Sequence, residues 1–365
     1  MSTETAARSR SVLRRVIGAI DAATAPHGVD RYLELAAPTW SMTEVRGRIV
    51  AANRTTAGSV TLTVKPNANW GGFTAGQHVQ LSVEIDGVRH TRFYSMANAA
   101  TETNVIELTV KAHPNGTVSN FLVTNAQAGL VVGLSAAQGD FVLPTQRPDR
   151  ILLISGGSGV TPTMSMLRTL VAVGHTGPVT FVHYALTAED HIYRDEVAAL
   201  AAANTNVRVV RIYTDAPGTG DGDGFFTASQ LEAIEPNWAD AEVFVCGPAP
   251  LMNAVRAHYT DAGLAHRHHD EAFTLDIVVG ESTGGTITFG ATGAVATDDG
   301  RTLLEQAEAA GLKPESGCRM GICHTCPRLL AAGTVRNVVN GELSEAGTEV
   351  RICVSAPVGD VSIDL

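Results

Sequence analysis

The sequence reads Glu315-Ser316-Gly317-Cys318-Arg319-Met320-Gly321-Ile322-Cys323-His324-Thr325-Cys326 near its C-terminus, and Cys353 follows after 26 further residues. Four of the five cysteines of the chain are therefore spaced C-x4-C-x2-C with a distant fourth. That spacing is the ligand pattern of a plant-type [2Fe–2S] cluster. Gly317 and Gly321 suit such a site, because the backbone must approach a cluster closely and turn its N–H groups toward the sulfurs.

Two other uses of four cysteines compete with this interpretation. A disulfide framework is typical of small exported chains, whereas this chain has 365 residues and no N-terminal export pattern. A structural zinc site usually shows two short C-x2-C pairs, and only Cys323 and Cys326 form one here. The sequence therefore predicts an iron–sulfur cluster, with zinc as the alternative. The predicted ligands are Cys318, Cys323, Cys326 and Cys353.

Composition places the chain among globular proteins with more than one domain. It has 44% hydrophobic and 17% charged residues, and its length predicts two to four domains. It lacks the run of about eighteen apolar residues that a membrane span needs. The net charge of −11 argues against a nucleic-acid partner. Five cysteines, four of them assigned to the cluster, indicate a reducing cytoplasm.

Residues 1–44 are an N-terminal extension with a pattern of its own. Apolar residues recur at helical spacing within residues 11–20, with Arg14 and Arg15 on the other side. The apolar residues are Val12, Leu13, Val16, Ile17 and Ile20. Such an amphipathic helix most often packs on its own protein. The alternative is a peripheral contact of residues 11–20 with the inner face of a membrane.

Residues 45–145 consist of short alternating apolar runs separated by turn residues, which predicts an antiparallel β-barrel. The predicted strands are Arg46–Ala51, Val60–Val64, His78–Ile85, Val105–Lys111 and Gly139–Leu143. Within this part, Arg92-Phe93-Tyr94-Ser95 offers a guanidinium fork for a diphosphate and a flat ring for stacking. Gly116-Thr117-Val118-Ser119 opens a predicted helix that starts at Asn120 and whose N-terminus would cradle an anion.

Residues 146–270 alternate strands and helices, which predicts a doubly wound α/β domain on a parallel sheet. The first strand leads into Gly156-Gly157-Ser158-Gly159-Val160-Thr161-Pro162. Thr161 fits a helix N-cap and Pro162 the first helical position, and the glycines would let a pyrophosphate approach exposed N–H groups. The last strand runs into Cys246-Gly247-Pro248, at the edge of a parallel sheet where ligands bind.

Residues 271–365 are predicted to form an α+β, β-grasp-like domain around the cysteines, beginning with a strand at Phe273–Val279 and containing a helix at Thr302–Ala310. Residues 272–365 carry twelve acidic against six basic residues. This excess could steer the domain toward a basic docking face of a partner, and ordinary solubility explains it equally well.

In this order the motifs resemble the ferredoxin–NADP reductase superfamily, in the branch with a C-terminal plant-type [2Fe–2S] domain. The resemblance covers about residues 45–365. It implies NAD(P)H, a [2Fe–2S] cluster and FAD, although some relatives with this domain order use FMN. Less specifically, Tyr32-Leu33 and Pro38-Thr39-Trp40 resemble the reductases of membrane-bound di-iron acyl desaturases and alkane hydroxylases.

The resemblance also implies roles for residues of the flavin site. Arg92, before Phe93, would hold the flavin phosphates, Tyr94 would stack on the isoalloxazine, and Ser95 would hydrogen-bond its N5. The segment Gly116, Thr117, Val118 and Ser119 would complete the pyrophosphate site.

In the nucleotide site, Gly157, Gly159 and Thr161, with Pro162 following, would hold the phosphates. Cys246, with Gly247 and Pro248 following, would lie against the nicotinamide where the hydride leaves. Glu271 would polarise the flavin site or relay a proton there, unless it is only a surface glutamate.

The implied activity is that of an NAD(P)H-dependent reductase that passes electrons through the flavin and the cluster to an acceptor. We expect a membrane di-iron acyl desaturase or alkane hydroxylase as that acceptor. The alternatives are a soluble Rieske or ring-hydroxylating oxygenase, and a role as an electron-wiring subunit in a fixed complex. Thr214-Asp215 stands where NADP-using relatives often have Ser-Arg, which favours NADH, whereas Arg211 or Arg194 could still bind a 2′-phosphate.

Overall fold

The computed structural model of the chain describes residues 28–114, 116–272, 282, 284–317, 321, 325–338 and 341–365. The predicted helix at residues 11–20 and the strand predicted at Phe273–Val279 lie outside these residues. The chain divides into two compact units: the residues up to Arg89 with Phe93–Glu271, and His90–Arg92 with Ala272–Leu365. Helix α1 (Gly28–Ala36) comes first, and no helix of the described residues is long and apolar enough to cross a bilayer.

The first sheet is antiparallel and has six strands in the order β4-β3-β6-β1-β2-β5. The strands are β1 (Val45–Thr56), β2 (Ser59–Pro66), β3 (His78–Ile85), β4 (Val88–Ser95), β5 (Ile106–Lys111) and β6 (Val131–Leu134), with helix α2 (Thr117–Asn125) before β6. A β-bridge between Met96, just after β4, and Leu108 in β5 joins the two edge strands. The sheet is therefore a half-barrel, which confirms the predicted antiparallel architecture.

One predicted strand of the barrel is wrong. Residues Gly139–Leu143 are not a strand, and the sixth strand lies earlier, at Val131–Leu134, where it pairs with β1 and β3. Gly139 has φ +105°, a left-handed conformation that extended strands do not use. The segment stays attached to the barrel through single contacts: Gln138 bridges His78, and the N–H of Leu143 donates to the carbonyl of Ala75 at 3.0 Å. Alternation of residues alone did not distinguish this loop from a strand.

The second sheet is parallel, with strands in the order β10-β9-β8-β7-β11-β12. Its strands are β7 (Ile151–Gly156), β8 (Val179–Ala185), β9 (Val207–Tyr213), β10 (Gly222–Asp223), β11 (Glu242–Cys246) and β12 (His268–Glu271). Its helices are α3 (Val160–Ala172), α4 (Arg194–Ala203), α5 (Ala228–Ile234) and α6 (Ala249–Asp261). The chain moves from β7 to β8 on one side and returns to β11 on the other. The carboxyl ends of β7 and β11 therefore flank a topological switch point, where such sheets bind ligands.

The start of helix α3 differs from the prediction. A 3-10 turn, Gly157–Gly159, runs directly into the helix, which begins at Val160 with Gly159 at the N-cap. Thr161 and Pro162 are therefore the second and third helical residues instead of the N-cap and the first. Pro162 is tolerated there, because the first N–H groups of a helix have no partner within it.

The second unit contains a mixed sheet with strands in the order β14-β13-β18-β15-β16, and β17 pairs with β15. Its elements are β13 (Thr286–Phe289), β14 (Ala294–Thr297), helix α7 (Leu303–Ala309), β15 (Pro327–Asn337), β16 (Leu343–Glu345), β17 (Glu349–Arg351) and β18 (Ser355–Ile363). Strand β13 runs parallel to β18, whereas β15 runs antiparallel to it. Thr302 and Glu305 form a capping box at the start of α7. This unit confirms the predicted α+β domain.

Candidate functional site

The two glycine-containing loops at the switch point pack directly on each other. A Cβ atom on Gly159 would lie 2.2 Å from the carbonyl oxygen of Cys246 and 2.6 Å from the nitrogen of Gly247. A Cβ on Gly156 would lie 2.8 Å from the Cδ of Pro248. Only glycine permits this approach, so the two motifs that the sequence singled out form one continuous surface.

A cavity of about 340 Å³ opens at this surface. Its lining includes Gly157 and Pro248 from the two loops, and Tyr184, Thr214 and Phe225 from the next strands and loops. The volume and apolar lining suit part of a nicotinamide nucleotide. Phe225 is 78% exposed and was not singled out in the sequence, where a phenylalanine after Gly224 carries no distinguishing signal.

Not all predicted nucleotide-binding residues line this cavity. Gly159, Thr161 and Pro162 are buried or packed behind the loop, and the Thr161 hydroxyl donates to the carbonyl of Ser158 at 3.2 Å. Their geometry supports the loop rather than facing the cavity. Gly157 differs: its φ is +54° and the space beside its Cα is open, which leaves its backbone accessible to a phosphate.

The predicted nicotinamide-site cysteine, Cys246, ends β11 and is fully buried. In the parallel pairing of β11 with β12 it stands opposite Glu271. Burial raises the pKa of the Cys246 thiol well above its usual range, and the carboxylates of Glu271 and Asp270 raise it further. The side chain is therefore a neutral thiol at physiological pH and not a nucleophilic thiolate.

Two residues of the barrel, Ser95 and His78, contact the carboxylate of Glu271 at the end of the parallel sheet. Ser95, buried at the end of β4, donates its hydroxyl to Oε2 of Glu271 at 3.3 Å. Nδ1 of His78, at the start of β3, lies 2.9 Å from Oε1 of the same carboxylate. The three predicted catalytic residues, Ser95, Cys246 and Glu271, are thus neighbours. His78 was missed as a site residue, because a histidine opening a strand has no signal in one sequence.

The remaining flavin residues lie along β4 and at the start of α2. Tyr94 is half-buried against the barrel core, Phe93 contacts the His78 ring edge-on at 4.9 Å, and Nη1 of Arg92 donates to the carbonyl of Thr91 at 2.7 Å. An aromatic ring, a guanidinium and a buried hydroxyl on one strand are the groups that an isoalloxazine and its phosphates require.

The segment from Gly116 to Ser119 forms the start of α2, which begins at Thr117, three residues before the predicted Asn120. Gly116 is the N-cap of α2, and among the described residues no side chain caps this helix. Val118 is buried and fixes the first turn in place, whereas Thr117 is exposed. A Cβ on Gly116 would lie 2.3 Å from Oγ of Ser119, so a larger residue would displace that hydroxyl. The uncapped N–H groups therefore remain available to phosphate oxygens.

Two of the four predicted cluster ligands, Cys326 and Cys353, lie in the described part of the chain, and Cys318 and Cys323 lie outside it. Cys326 precedes β15 and Cys353 follows β17, and these two strands pair. The N–H of Ile352 donates to the carbonyl of Cys326 at 3.4 Å, which brings the two cysteines together. Each is only 2% exposed, among apolar side chains.

Gly321, inside the cysteine stretch, also fits a closely packed loop. Its φ is +72°, and a Cβ there would lie 2.8 Å from a methyl of Val354, next to Cys353. Two buried cysteines lie near a glycine whose position leaves no room for a side chain. An iron–sulfur cluster requires such a site, with thiolates shielded from water and closely packed backbone.

The groups near the predicted 2′-phosphate position are already paired. Arg211 binds Asp221 through two nitrogens, at 2.8 and 3.0 Å, and Arg194 binds Asp195 at 3.1 Å. The Thr214 hydroxyl donates to Asp215 at 2.9 Å. The two arginines considered as phosphate ligands are thus neutralised by neighbouring carboxylates.

Three family models match successive parts of the chain. Residues 55–143 match an oxidoreductase FAD-binding domain, residues 153–257 an oxidoreductase NAD-binding domain, and residues 289–358 a 2Fe-2S iron-sulfur cluster binding domain. The predicted cofactors, FAD, NAD(P)H and [2Fe–2S], are confirmed, and zinc is not supported.

Relatives of known sequence cover most of the chain. An NADPH oxidoreductase of Mycobacterium tuberculosis is 38% identical over 360 residues, which cover 97% of this chain and 92% of that protein. The glycine betaine monooxygenase reductase subunit of Pseudomonas aeruginosa is 31% identical over 321 residues, which cover 80% and 87%.

A solved structure has a similar arrangement. Phthalate dioxygenase reductase, described as a modular structure for electron transfer from pyridine nucleotides to [2Fe–2S], is 25% identical with a TM-score of 0.63. The match covers 88% of this chain and 97% of that one.

Proposed function

The chain belongs to the family of ferredoxin–NADP reductase-like enzymes with FAD-binding, NAD-binding and C-terminal [2Fe–2S] domains, and we propose that it is the reductase component of an oxygenase system. It is an NAD(P)H oxidoreductase. The observation that carries the proposal is the succession of all three domains in one chain, over nearly the full length of phthalate dioxygenase reductase.

The bound flavin and cluster supply the conversion of a two-electron hydride donor into a source of single electrons. The residues of the chain hold the cofactors and the nucleotide in position. Tyr94 provides the stacking surface, the uncapped N–H groups from Thr117 to Ser119 bind the diphosphate, and the loops at Gly157 and Pro248 bind the nucleotide. Buried Cys246 lies behind these loops as a neutral thiol, next to the proposed nicotinamide site.

The names of the relatives support an oxygenase as acceptor. The glycine betaine and phthalate proteins are reductases of a monooxygenase and a dioxygenase. They support the alternative in the sequence analysis better than the expected acyl desaturase or alkane hydroxylase. The NAD-binding domain argues against a wiring subunit, which needs no nucleotide site.

A reconstituted assay tests this proposal. The FAD- and cluster-loaded chain is mixed with NADH or NADPH and either the soluble oxygenase fraction or washed membranes of the same cell. We expect nucleotide oxidation coupled to substrate hydroxylation with the soluble fraction. The control is Cys326→Ser, which should still reduce a dye acceptor from the flavin and should lose the coupled reaction. Coupling with membranes alone would contradict the proposal in favour of a membrane-bound acceptor.

A further inference from the structure

We propose that His78 is a positioning residue for flavin reduction, which acts by fixing the carboxylate of Glu271 against Ser95. The inference rests on the proposed roles of Ser95 and Glu271 beside the flavin. It adds to that site a residue 193 positions away in sequence from the carboxylate that it holds.

The carboxylate of Glu271 is held at both of its oxygens. Oε1 lies 2.9 Å from Nδ1 of His78, and Oε2 accepts the hydroxyl of Ser95 at 3.3 Å. The side chains of His78 and Glu271 are only 12% and 13% exposed, so little water competes for these bonds. Two donors on two oxygens fix the plane of a carboxylate, whereas Ser95 alone would leave it free to rotate.

The imidazole of His78 is itself held rigidly. Its backbone exchanges two hydrogen bonds with Gln138, each 2.9 Å long. The edge-on contact with Phe93 has an interplanar angle of 87°. Gly139 closes the other side: a Cβ there would lie 3.0 Å from the ring and 3.5 Å from Oε1 of Glu271. A ring enclosed in this way transmits its orientation to its hydrogen-bond partner.

The hydrogen bond from His78 to Glu271 needs a donor at the position of Nδ1. Variants that keep or remove this donor therefore test its role. In His78→Asn the amide nitrogen takes the place of Nδ1 and can donate to the carboxylate, whereas His78→Leu fills similar space without a donor. We expect His78→Leu to slow flavin reduction at saturating NADH or NADPH by roughly tenfold or more, with little change in the nucleotide Kd. His78→Asn should recover most of the rate.

A double-mutant cycle shows whether His78 acts through the carboxylate. In a Glu271→Ala background the bond has no acceptor, so adding His78→Leu should slow flavin reduction less than about twofold. FAD content and thermal unfolding of each variant check that the barrel is intact. The matched controls are His266→Leu and His266→Asn, since His266 is exposed; neither should change the rate.

Three results would overturn the proposal. They are an unchanged rate in His78→Leu, equal losses in the Leu and Asn variants, and an undiminished effect of His78→Leu in the Glu271→Ala background. The measurement uses stopped-flow reduction of the isolated holoenzyme with nucleotide alone. Its outcome is therefore independent of whether the final acceptor is an oxygenase.

Discussion

At the scale of single residues, burial decides what the titratable side chains near the nucleotide site can do. Cys246 lies between the strand of the glycine loop and Glu271, opposite Ser155 in β7 and Glu271 in β12. With its pKa raised by burial and by two carboxylates, its thiol stays protonated. The residue therefore contributes packing and a neutral side chain at the end of the sheet, and not a reactive thiolate.

Replacing Cys246 by serine tests this role. Serine is also neutral but smaller. If Cys246 packs behind the nicotinamide as proposed, its replacement loosens that packing, so we expect flavin reduction to slow by roughly tenfold with cluster and FAD content unchanged. Because the thiol does not ionise, the pH profile of the rate should keep its shape. A normal rate in Cys246→Ser would remove the assigned role.

Two buried histidines in the nucleotide domain predict a pH-dependent stability. Burial lowers the pKa of His191 to about 4, with Arg211 and Arg194 acting in the same direction, and burial also lowers the pKa of His183. Within the described part of the chain, Nε2 of both rings lacks a hydrogen-bond partner. The unfolded chain binds a proton near pH 6.5 and the folded chain does not, so stability is lost as the pH falls below that value.

For His191 alone we expect a loss of about 2 kcal/mol in the free energy of unfolding between pH 7.5 and 5. Carboxylates such as Asp221, whose pKa is lowered by Arg211, act only at lower pH and do not mask this window. Urea unfolding of the wild type and of His191→Gln measures it, with exposed His266→Gln as the control. Equal pH dependence in all three proteins would show that His191 is not the cause.

The sequence alone identified some of the residues at the end of the sheet near Glu271. Ser95, Cys246 and Glu271 followed from a family resemblance, because each lies in or beside a short motif. His78 did not, because its partner is distant in sequence and only the return of β12 beside the barrel brings them together. Phe225 was missed because a single phenylalanine after Gly224 carries no distinguishing signal in the sequence.

At the scale of elements, the alternation of apolar residues and the glycine-rich loops predicted strands and turns correctly in most places. Helix starts and irregular loops were predicted less well. The strand His78–Ile85 was predicted with its observed bounds. The segment Gly139–Leu143 was predicted as a strand from its short apolar run, but Gly139 has φ +105° and the segment is not part of the sheet. The helix after Gly159 begins two residues early, since a 3-10 turn replaced the expected cap.

The loop after β9 carries a prediction about nucleotide choice. Arg211 forms an ion pair with Asp221, whereas the carboxylate of Asp215 lies near the position expected for the 2′-phosphate. Whichever nucleotide the wild type prefers, Asp215→Ser should raise kcat/KM for NADPH relative to NADH by about three- to tenfold, because a repulsive charge is removed. Arg211→Ala should not lower that ratio. Steady-state kinetics with a dye acceptor measure both, and a fall in NADPH use by Arg211→Ala would contradict the assignment.

At the scale of the whole molecule, an ion-pair network fixes the barrel to the nucleotide sheet within the first unit. Arg168 in α3 bonds Glu107 in β5 at 2.5 Å and Glu196 in α4 at 2.7 Å, and it donates to the carbonyl of Ala97 at 2.8 Å. Its guanidinium also lies 4.8 Å from the centre of the Tyr193 ring. The network holds the flavin strand in register with the switch point.

We expect Arg168→Met to lower the free energy of unfolding by about 3 kcal/mol, because Glu107 is left without its cation, and also to slow flavin reduction. Arg150→Met is the matched control: Arg150 pairs with Glu235 at 3.1 Å inside the nucleotide domain only. It should destabilise the protein without slowing flavin reduction. Equal slowing in both variants would mean that the network does not set the relative position of barrel and sheet.

The most direct test of the complete electron path is an anaerobic titration of the isolated chain with NADH or NADPH, followed by optical and electron paramagnetic resonance spectroscopy. We expect one FAD and two irons per chain, bleaching of the flavin band, and then the signal of a reduced [2Fe–2S] cluster. Cys326→Ser should retain flavin bleaching and lose that signal. Zinc in place of iron, or a cluster that nucleotides leave oxidised while the flavin is reduced, would contradict it.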